Sequence, residues 1–351
     1  MASSEEKAVL VTGAAGFIGG ACLEEFLAAG WRVTALVHRR VTPRLARLEE
    51  EGRLSLVRGS ICRRDRVRAA LADHIEVAGR GFDALVHCAG RASDLGPDRL
   101  FRRVNLEGTA NLVECMERLP LGRLVHLSTT DVYGVKDFRG CDEGAPLERR
   151  PLNPYPRYKI LAERVIREGL PPERRVILRP AFVWGPGDTT IQPRVLAFLR
   201  ASPWILHFGR WRGTNRWPLA WIGNLTRLVR LAATCPETRG RTYNVVDPDR
   251  VSLDEYYRLL LAIHLPGKKP PRSVTLPLWV GLAVGGCSTL LANLLRRDRP
   301  LFDPTLYGLR HAAADQDFSS SRAQQLLARH GLTLTPTREA MEVRATAERG
   351  K

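Results

Sequence analysis

Tyr155 and Lys159 stand four residues apart in Tyr155-Pro156-Arg157-Tyr158-Lys159, ahead of the helix-like run Ile160–Ile166. On a helix that spacing puts both side chains on one face. An ammonium beside a phenol favours the phenolate and lowers its pKa. A phenol tuned in this way can pass a proton to or from a substrate oxygen. Taken alone, the pair is equally a surface tyrosine with a solvated lysine. Two further signals favour the chemical reading. One is a glycine-rich loop at the N-terminus, and the other is the hydroxyl cluster Ser128-Thr129-Thr130, which begins 27 residues before Tyr155. Tyr158 is the rival phenol, but Ala162 follows it at i+4, so no cation is placed to tune it.

The elements that must position these groups read as an α/β pattern. An apolar strand, Lys7 to Thr12, runs into Gly13-Ala14-Ala15-Gly16-Phe17-Ile18-Gly19, and a helix follows from about Gly20 to Ala29. In such a loop the first glycine permits the tight turn and the second lets backbone approach a pyrophosphate. The third lets the helix pack closely on the sheet, and the helix N-terminus faces the phosphates. Strand before and helix after make this more than a plain βα turn. A second strand, Trp31–Val37, ends in His38-Arg39-Arg40. An NAD enzyme would carry an acidic residue there for the ribose hydroxyls, whereas cations suit the 2′-phosphate of NADP. The expected cofactor is therefore NADP(H) in preference to NAD(H), unless the two arginines are simply solvated.

Further strands are expected at Leu54–Arg58, with Gly59-Ser60-Ile61 at its end, and at Phe82–His87, ending in Cys88-Ala89-Gly90. Small residues at the second end let the loop pass close to a dinucleotide. A long helix over roughly 98–119 carries Asn105, and Leu124–Ser128 is a fifth strand leading to the hydroxyl cluster. Ligands gather at the carboxyl edge of such a sheet, so a strand-end hydroxyl can hold a substrate oxygen beside the tyrosine. It can equally just cap the strand. A sixth strand is expected at Val176–Leu178, and the alternation predicts a Rossmann-type doubly wound parallel sheet.

After about residue 188 the alternation breaks down. Trp204, Phe208, Trp211, Trp217 and Trp221 would line an apolar substrate pocket or form the core of a smaller cap. The expected division is a dinucleotide-binding domain over 1–188 with a returning strand near 243–246, a substrate-binding region over 189–340, and a flexible tail over 341–351. Ser252 is a candidate cap for a helix from Leu253 to Ile263.

The chain has 351 residues and a net charge of +17. Most of the excess is arginine, spread along the sequence, which gives a basic field suited to anionic partners: cofactor phosphates or an acidic membrane surface. No nucleic-acid motif accompanies it, so nucleic acid is not an expected partner. Seven scattered cysteines form no metal spacing and read as reduced thiols. The polar start Met1-Ala2-Ser3-Ser4-Glu5 is not a signal peptide, and a cytoplasmic location is expected. From Val274 to Leu295 there is no charged residue, with Lys268, Lys269 and Arg272 before and Arg296, Arg297 and Arg299 after. Basic flanks suit anionic lipid, so this run is either an interfacial helix or an apolar cover over the substrate pocket. Monomer and homodimer are both open.

Taken together, these residues resemble the extended short-chain dehydrogenase/reductases, over about residues 7–340. The resemblance rests on Gly13-x-x-Gly16-Phe17-Ile18-Gly19, Val104-Asn105-Leu106-Glu107-Gly108-Thr109, Ser128-Thr129-Thr130-Asp131-Val132-Tyr133-Gly134, Tyr155-x-x-x-Lys159 and Leu178-Arg179-Pro180 with Trp184-Gly185-Pro186-Gly187-Asp188. The last stretch is most similar to the branch of 3β-hydroxysteroid dehydrogenase/isomerases, sterol-4-carboxylate dehydrogenases and bacterial ketone reductases. The resemblance implies that Tyr155 is the general acid/base and that Lys159 tunes it and binds the nicotinamide ribose. It implies that Thr129, with Ser128 as the alternative, orients the substrate oxygen, and that the nicotinamide carboxamide lies near Pro180. Two departures stand out. Ser60 replaces an acidic residue common beside the adenine, and Gly223 in Trp221-Ile222-Gly223-Asn224 replaces a common Asp. The expected reaction interconverts a secondary alcohol and a ketone on a largely apolar substrate. The rivals are a nucleotide-sugar epimerase or dehydratase, whose diphosphate would meet Arg194, Arg210 and Arg212, and a non-catalytic dinucleotide sensor.

Overall fold

Ala8–Thr12, the strand β1, is buried at all five positions. A strand buried throughout must be covered on both faces, as in a parallel sheet flanked by helices. The computed structural model, which describes residues 6–265, 267, 271–295, 297, 300 and 303–349, shows that arrangement. Six more strands join β1 in one sheet: β2 (Arg32–Val37), β3 (Leu54–Arg58), β4 (Phe82–His87), β5 (Leu121–Leu127), β6 (Arg175–Pro180) and β7 (Thr242–Val245). All neighbouring pairs are parallel, and the spatial order is β7-β6-β5-β4-β1-β2-β3. The order reverses at β1, so a crevice opens between the carboxyl ends of β1 and β4.

Alternate residues of the sheet feed two cores. Val9 and Val11 pack with Leu23 and Phe26 of the first helix, Phe17–Ala28, and with Leu225, Leu228 and Val229 of the helix Ile222–Thr234. Ala8 and Leu10 point the other way, among Leu71, Leu112, Leu124 and Ile166. A third core belongs to the smaller region and gathers Trp184, Leu199, Ile205, Trp217, Tyr256, Leu260 and Met341. Of the cap aromatics, Trp217 is core, Trp221 packs against it and Trp204 is 53% exposed. Two of the five expected aromatics thus pack in the cap core.

Three expectations change. The region after 188 is not a separate block, because Ile222–Thr234, β7 and Ser321–Arg329 return to the main sheet's core. The end of the chain is not a loose tail: Thr337–Arg349 is a helix, and Ala340 and Met341 on its inner side are buried in the cap core. The expected helix over 98–119 is broken into Asp98–Phe101, a widened π-helical turn Arg102–Glu107, and Gly108–Arg118. The bulge sits at Asn105, consistent with π-turns marking functional positions. Ser252 caps Leu253–His264 as expected, with a full capping box through Glu255. Met1–Glu5, Lys268, Lys269, Arg296, Arg299 and the last two residues lie outside the described residues.

Candidate active site

The site grows from the carboxyl ends of β1, β4 and β5. After β1, Gly13 adopts φ 72°, and a Cβ there would stand 2.7 Å from the Ala89 amide nitrogen. Only glycine allows that turn this close to the Cys88-Ala89-Gly90 loop. Gly19 faces the same constraint, since its Cβ would lie 2.2 Å from the Gly13 carbonyl oxygen. Gly16 precedes the first helix with no side chain capping its N-terminus. Amides of Phe17, Ile18 and Gly19 thus begin a helix with a side-chain-free end, and Ala15 and Gly16 are accessible. This is a cradle suited to a pyrophosphate, and the residues present fit a dinucleotide.

His38, Arg39 and Arg40 follow β2 and are all exposed. Ser60 and Ile61 follow β3, but Ile61 turns its side chain into the core against Gly108, leaving its backbone at the edge. Asn105 is buried and does not reach freely into the crevice. Its Oδ1 accepts the Arg91 N–H at 2.7 Å and its Nδ2 donates to the Arg91 carbonyl at 3.0 Å. It fixes the loop after Gly90. Pro180 ends β6, buried.

Tyr155 and Lys159 sit in the first turns of the helix Pro154–Gly169. Asn153 caps it: its Oδ1 accepts the Tyr155 N–H at 2.8 Å, and its Nδ2 donates to the Asp94 carbonyl at 2.8 Å. An Asn-Pro pair before an apolar run is a recognisable helix start, and it escaped the sequence reading. At the end of β5, Thr129 opens a short 3₁₀ turn, Thr130–Tyr133, and accepts the Asp131 N–H at 3.2 Å. The Thr129 hydroxyl also stands beside the Tyr155 phenol and acts to lower its pKa. Thr129 and Tyr155, 26 residues apart, are thus brought together.

The electrostatics correct one expectation. Burial, followed by the Asp131 carboxylate, raises the Tyr155 phenol above its ordinary range, and the neighbouring Thr129 hydroxyl only partly offsets this. Lys159 is not what tunes it here. Its ammonium is buried and donates to the Leu127 carbonyl at 2.7 Å, close to Gly90 and Asn105. Burial lowers Lys159 to about 8, with Cys88 and Glu163 acting in the opposite sense. The lysine waits at the sheet edge between β4 and β5. Tyr158 is turned away, its phenol donating to Asp98 at 2.5 Å.

Ser128 is not a second substrate hydroxyl. It donates to Glu163 at 2.6 Å, inside a buried network. There Arg179 grips Glu163 at 2.9 and 2.6 Å and donates to the Tyr133 hydroxyl at 2.7 Å. Burial would raise the Glu163 carboxyl, but the Arg179 hydrogen bonds and charge hold it below its usual range. This network ties the Tyr155 helix to β6. Glu163→Gln strands a buried guanidinium, so urea unfolding is expected to show a loss of about 3–5 kcal/mol. A loss under about 1 kcal/mol would mean that the pair is not holding the helix.

The sequence reading missed the far side of the site. The Tyr307 hydroxyl donates to Asp131 Oδ2 at 2.7 Å; burial, then the Asp131 charge, pushes the Tyr307 phenol well above its ordinary range, with Tyr155 adding to it. His311 Nδ1 pairs with Gln316 Oε1 at 2.9 Å, while its Nε2 lies 3.9 Å from Asp131 with no hydrogen-bond partner among the described residues. No local pattern could reveal a contact spanning 176 residues. Two of the three arginines expected to meet a sugar diphosphate are engaged. Arg194 is paired with Asp94 and Asp303, and Arg210 with Asp137. Arg212 is exposed.

Comparison with known proteins agrees with this architecture. The sequence profile of the NAD dependent epimerase/dehydratase family matches residues 9–245. A 2-alkyl-3-oxoalkanoate reductase of Shewanella oneidensis is 26% identical over 327 residues, covering 90% of this chain and 80% of the relative. A decarboxylating sterol-4-alpha-carboxylate 3-dehydrogenase of Schizosaccharomyces pombe is 24% identical over 253 residues, covering 70% and 72%. The crystal structure of UDP-glucuronic acid 4-epimerase from Bacillus cereus, with UDP-glucuronic acid and NAD, superimposes with a TM-score of 0.67. It is 21% identical and covers 97% of this chain and 98% of its own. At that identity the likeness is one of fold.

Proposed function

The chain belongs to the NAD dependent epimerase/dehydratase family, and on that premise we propose that it interconverts a secondary alcohol and a ketone on a largely apolar substrate. NADP(H) is the favoured cofactor and NAD(H) the alternative. The observation that carries the reading is the Thr129 hydroxyl brought beside the Tyr155 phenol from the end of β5, with Lys159 one helical turn further along. Similarity to a 2-alkyl-3-oxoalkanoate reductase and to a sterol dehydrogenase supports the same class.

The dinucleotide, when bound, supplies the hydride. The loop from Gly13 to Gly19, the Cys88–Gly90 segment and Pro180 would hold it, and the Lys159 ammonium would meet its ribose. The rest is done by this chain's own groups. Thr129 orients the substrate oxygen, and Tyr155, kept protonated by its raised pKa, donates to that oxygen during reduction. In oxidation Tyr155 must first lose its proton, so the oxidative rate is expected to climb with pH while the reductive rate stays level through neutrality.

A screen of steroid, acyl and aryl ketones against NADPH and NADH tests the reading, with UDP-sugars as the competing substrates. The expected result is cofactor oxidation with apolar ketones. Arg39 and Arg40 have no ion-pair partner among the described residues. Replacing both with Ser is expected to raise KM for NADPH about tenfold and leave NADH nearly unchanged. Turnover confined to UDP-sugars would make the protein an epimerase or dehydratase. Tight NADPH binding with no turnover at all would make it a sensor. The pairing of Arg194 and Arg210 with acidic side chains speaks against the sugar-diphosphate alternative.

A further inference from the structure

The helix Leu278–Leu294 is built inside out. Its buried positions are Gly281, Gly285, Ser288 and Ala292, a stripe of small residues at helical spacing. Smallness is needed there, since a Cβ on Gly285 would lie 3.1 Å from the backbone of Thr305 and Leu306. The large apolar side chains face outward: Trp279 is 71% exposed, Leu290 59% and Leu294 69%. Among the described residues, seven of the eleven strongly exposed large apolar side chains lie between 278 and 295. A soluble amphipathic helix places its large apolar groups against the core. Here the outward face has no partner among the described residues, and a contiguous apolar patch marks a contact surface.

Charge says what covers it. No charged residue occurs from Ser273 to Leu295. Arg272 and Arg297, exposed at either end, bracket the run, and the sequence places Lys268, Lys269, Arg296 and Arg299 beside them, with Asp298 the one acid. The whole chain carries +17. A second copy would bring the same cations to the same face, whereas an anionic bilayer attracts them. Among the described residues no helix is long and apolar enough to cross a membrane. Large apolar groups on one side, a tryptophan and basic ends suit a helix lying in the interfacial plane.

We propose that the outward face of Leu278–Leu294 seats this protein on the surface of an anionic lipid bilayer. The seat is joined to the reaction centre. The Thr289 hydroxyl accepts the Leu306 N–H at 2.9 Å, and Leu306 is flanked by Thr305, which donates to Asp94, and Tyr307, which holds Asp131. One layer of structure thus separates the lipid side from Tyr155. The inference goes beyond the reductase reading and stands without it, because its test needs no turnover.

Flotation of the full chain with phosphatidylcholine vesicles, with and without phosphatidylglycerol, reads the contact. The wild type is expected to float with the anionic vesicles, less with the neutral ones, and less again as salt rises. A variant combining Trp279→Ser, Leu290→Ser and Leu294→Ser is expected to partition at least about tenfold more weakly, with circular dichroism and melting unchanged. If that variant is unstable, brominated lipid gives a second reading: it should quench wild-type tryptophan fluorescence, and Trp279→Phe should remove that quenching. Flotation equal in variant and wild type, or independent of phosphatidylglycerol, overturns the proposal. So does light scattering that shows a wild-type dimer, dispersed by the three serines, with no flotation.

Discussion

Tyr155→Phe is expected to lower kcat for ketone reduction by about a thousandfold, while the dissociation constant for NADPH moves less than about threefold. The substitution removes one oxygen and leaves the ring. That oxygen stands beside the Thr129 hydroxyl and in the field of Asp131, so its loss removes the proton donor without disturbing the glycine loop. Steady-state kinetics paired with fluorescence titration of the cofactor separates the two effects. Because burial and Asp131 keep the phenol protonated, the wild-type reductive rate should be level around neutrality, and the variant's residual rate should show no tyrosine titration. A variant retaining more than about a tenth of wild-type turnover would remove Tyr155 from the chemistry. A large loss of cofactor affinity with an unchanged kcat would recast it as a binding residue.

What the residues disclosed, and what they withheld, follows the range of the interactions. β1 and the glycine loop were legible because four buried apolar residues and Thr12, followed by Gly13, Gly16 and Gly19, answer to local sterics alone. The Tyr155–Lys159 spacing was legible because helical geometry is local. The environment of Lys159 was not. Its i+4 relation to Tyr155 predicted a cation beside a phenol, but the third dimension supplied the Leu127 carbonyl as its partner. Ser128 and Thr129 look interchangeable in sequence. Strand alternation sends one hydroxyl under the sheet to Glu163 and the other to Tyr155. The helix Thr337–Arg349 was hidden by its polar composition: among the described residues its fully buried apolar positions are Ala340 and Met341, and polar bonds such as Thr337 to Asp247 do the rest. Tyr307 and His311 reach Asp131 across the whole chain, and no periodicity encodes such a meeting.

Lys159→Met is expected to make the cofactor-free protein more stable and catalytically poor. Burial has pushed the Lys159 ammonium from 10.5 to about 8. The sign follows from proton counting. Between about pH 8 and 10.5 the unfolded chain still binds a proton that the folded chain has released, so stability rises with pH across that window. Below about 8 both states are charged, and the folded protein carries the full penalty, about 3 kcal/mol for a shift of that size. Methionine fills similar space without a charge. It leaves the Leu127 carbonyl without its donor, which returns about 1 kcal/mol. The net gain near neutrality is therefore about 2 kcal/mol, read as a melting temperature several degrees above wild type. The two proteins should converge as pH rises toward 10, because the wild type sheds its penalty and the variant has none to shed. A variant less stable than wild type at neutral pH, or a wild-type stability flat from pH 8 to 10, would show that the ammonium is well compensated in the empty site. The penalty has a functional use. A buried cation whose one hydrogen bond among the described residues is to a carbonyl binds a ribose hydroxyl and an anionic cofactor more strongly than a solvated one would, because the ligand supplies the partner that folding withheld. Cofactor binding measured near pH 8.5 in two buffers of different ionisation enthalpy should accordingly show proton uptake in the wild type and none in Lys159→Met.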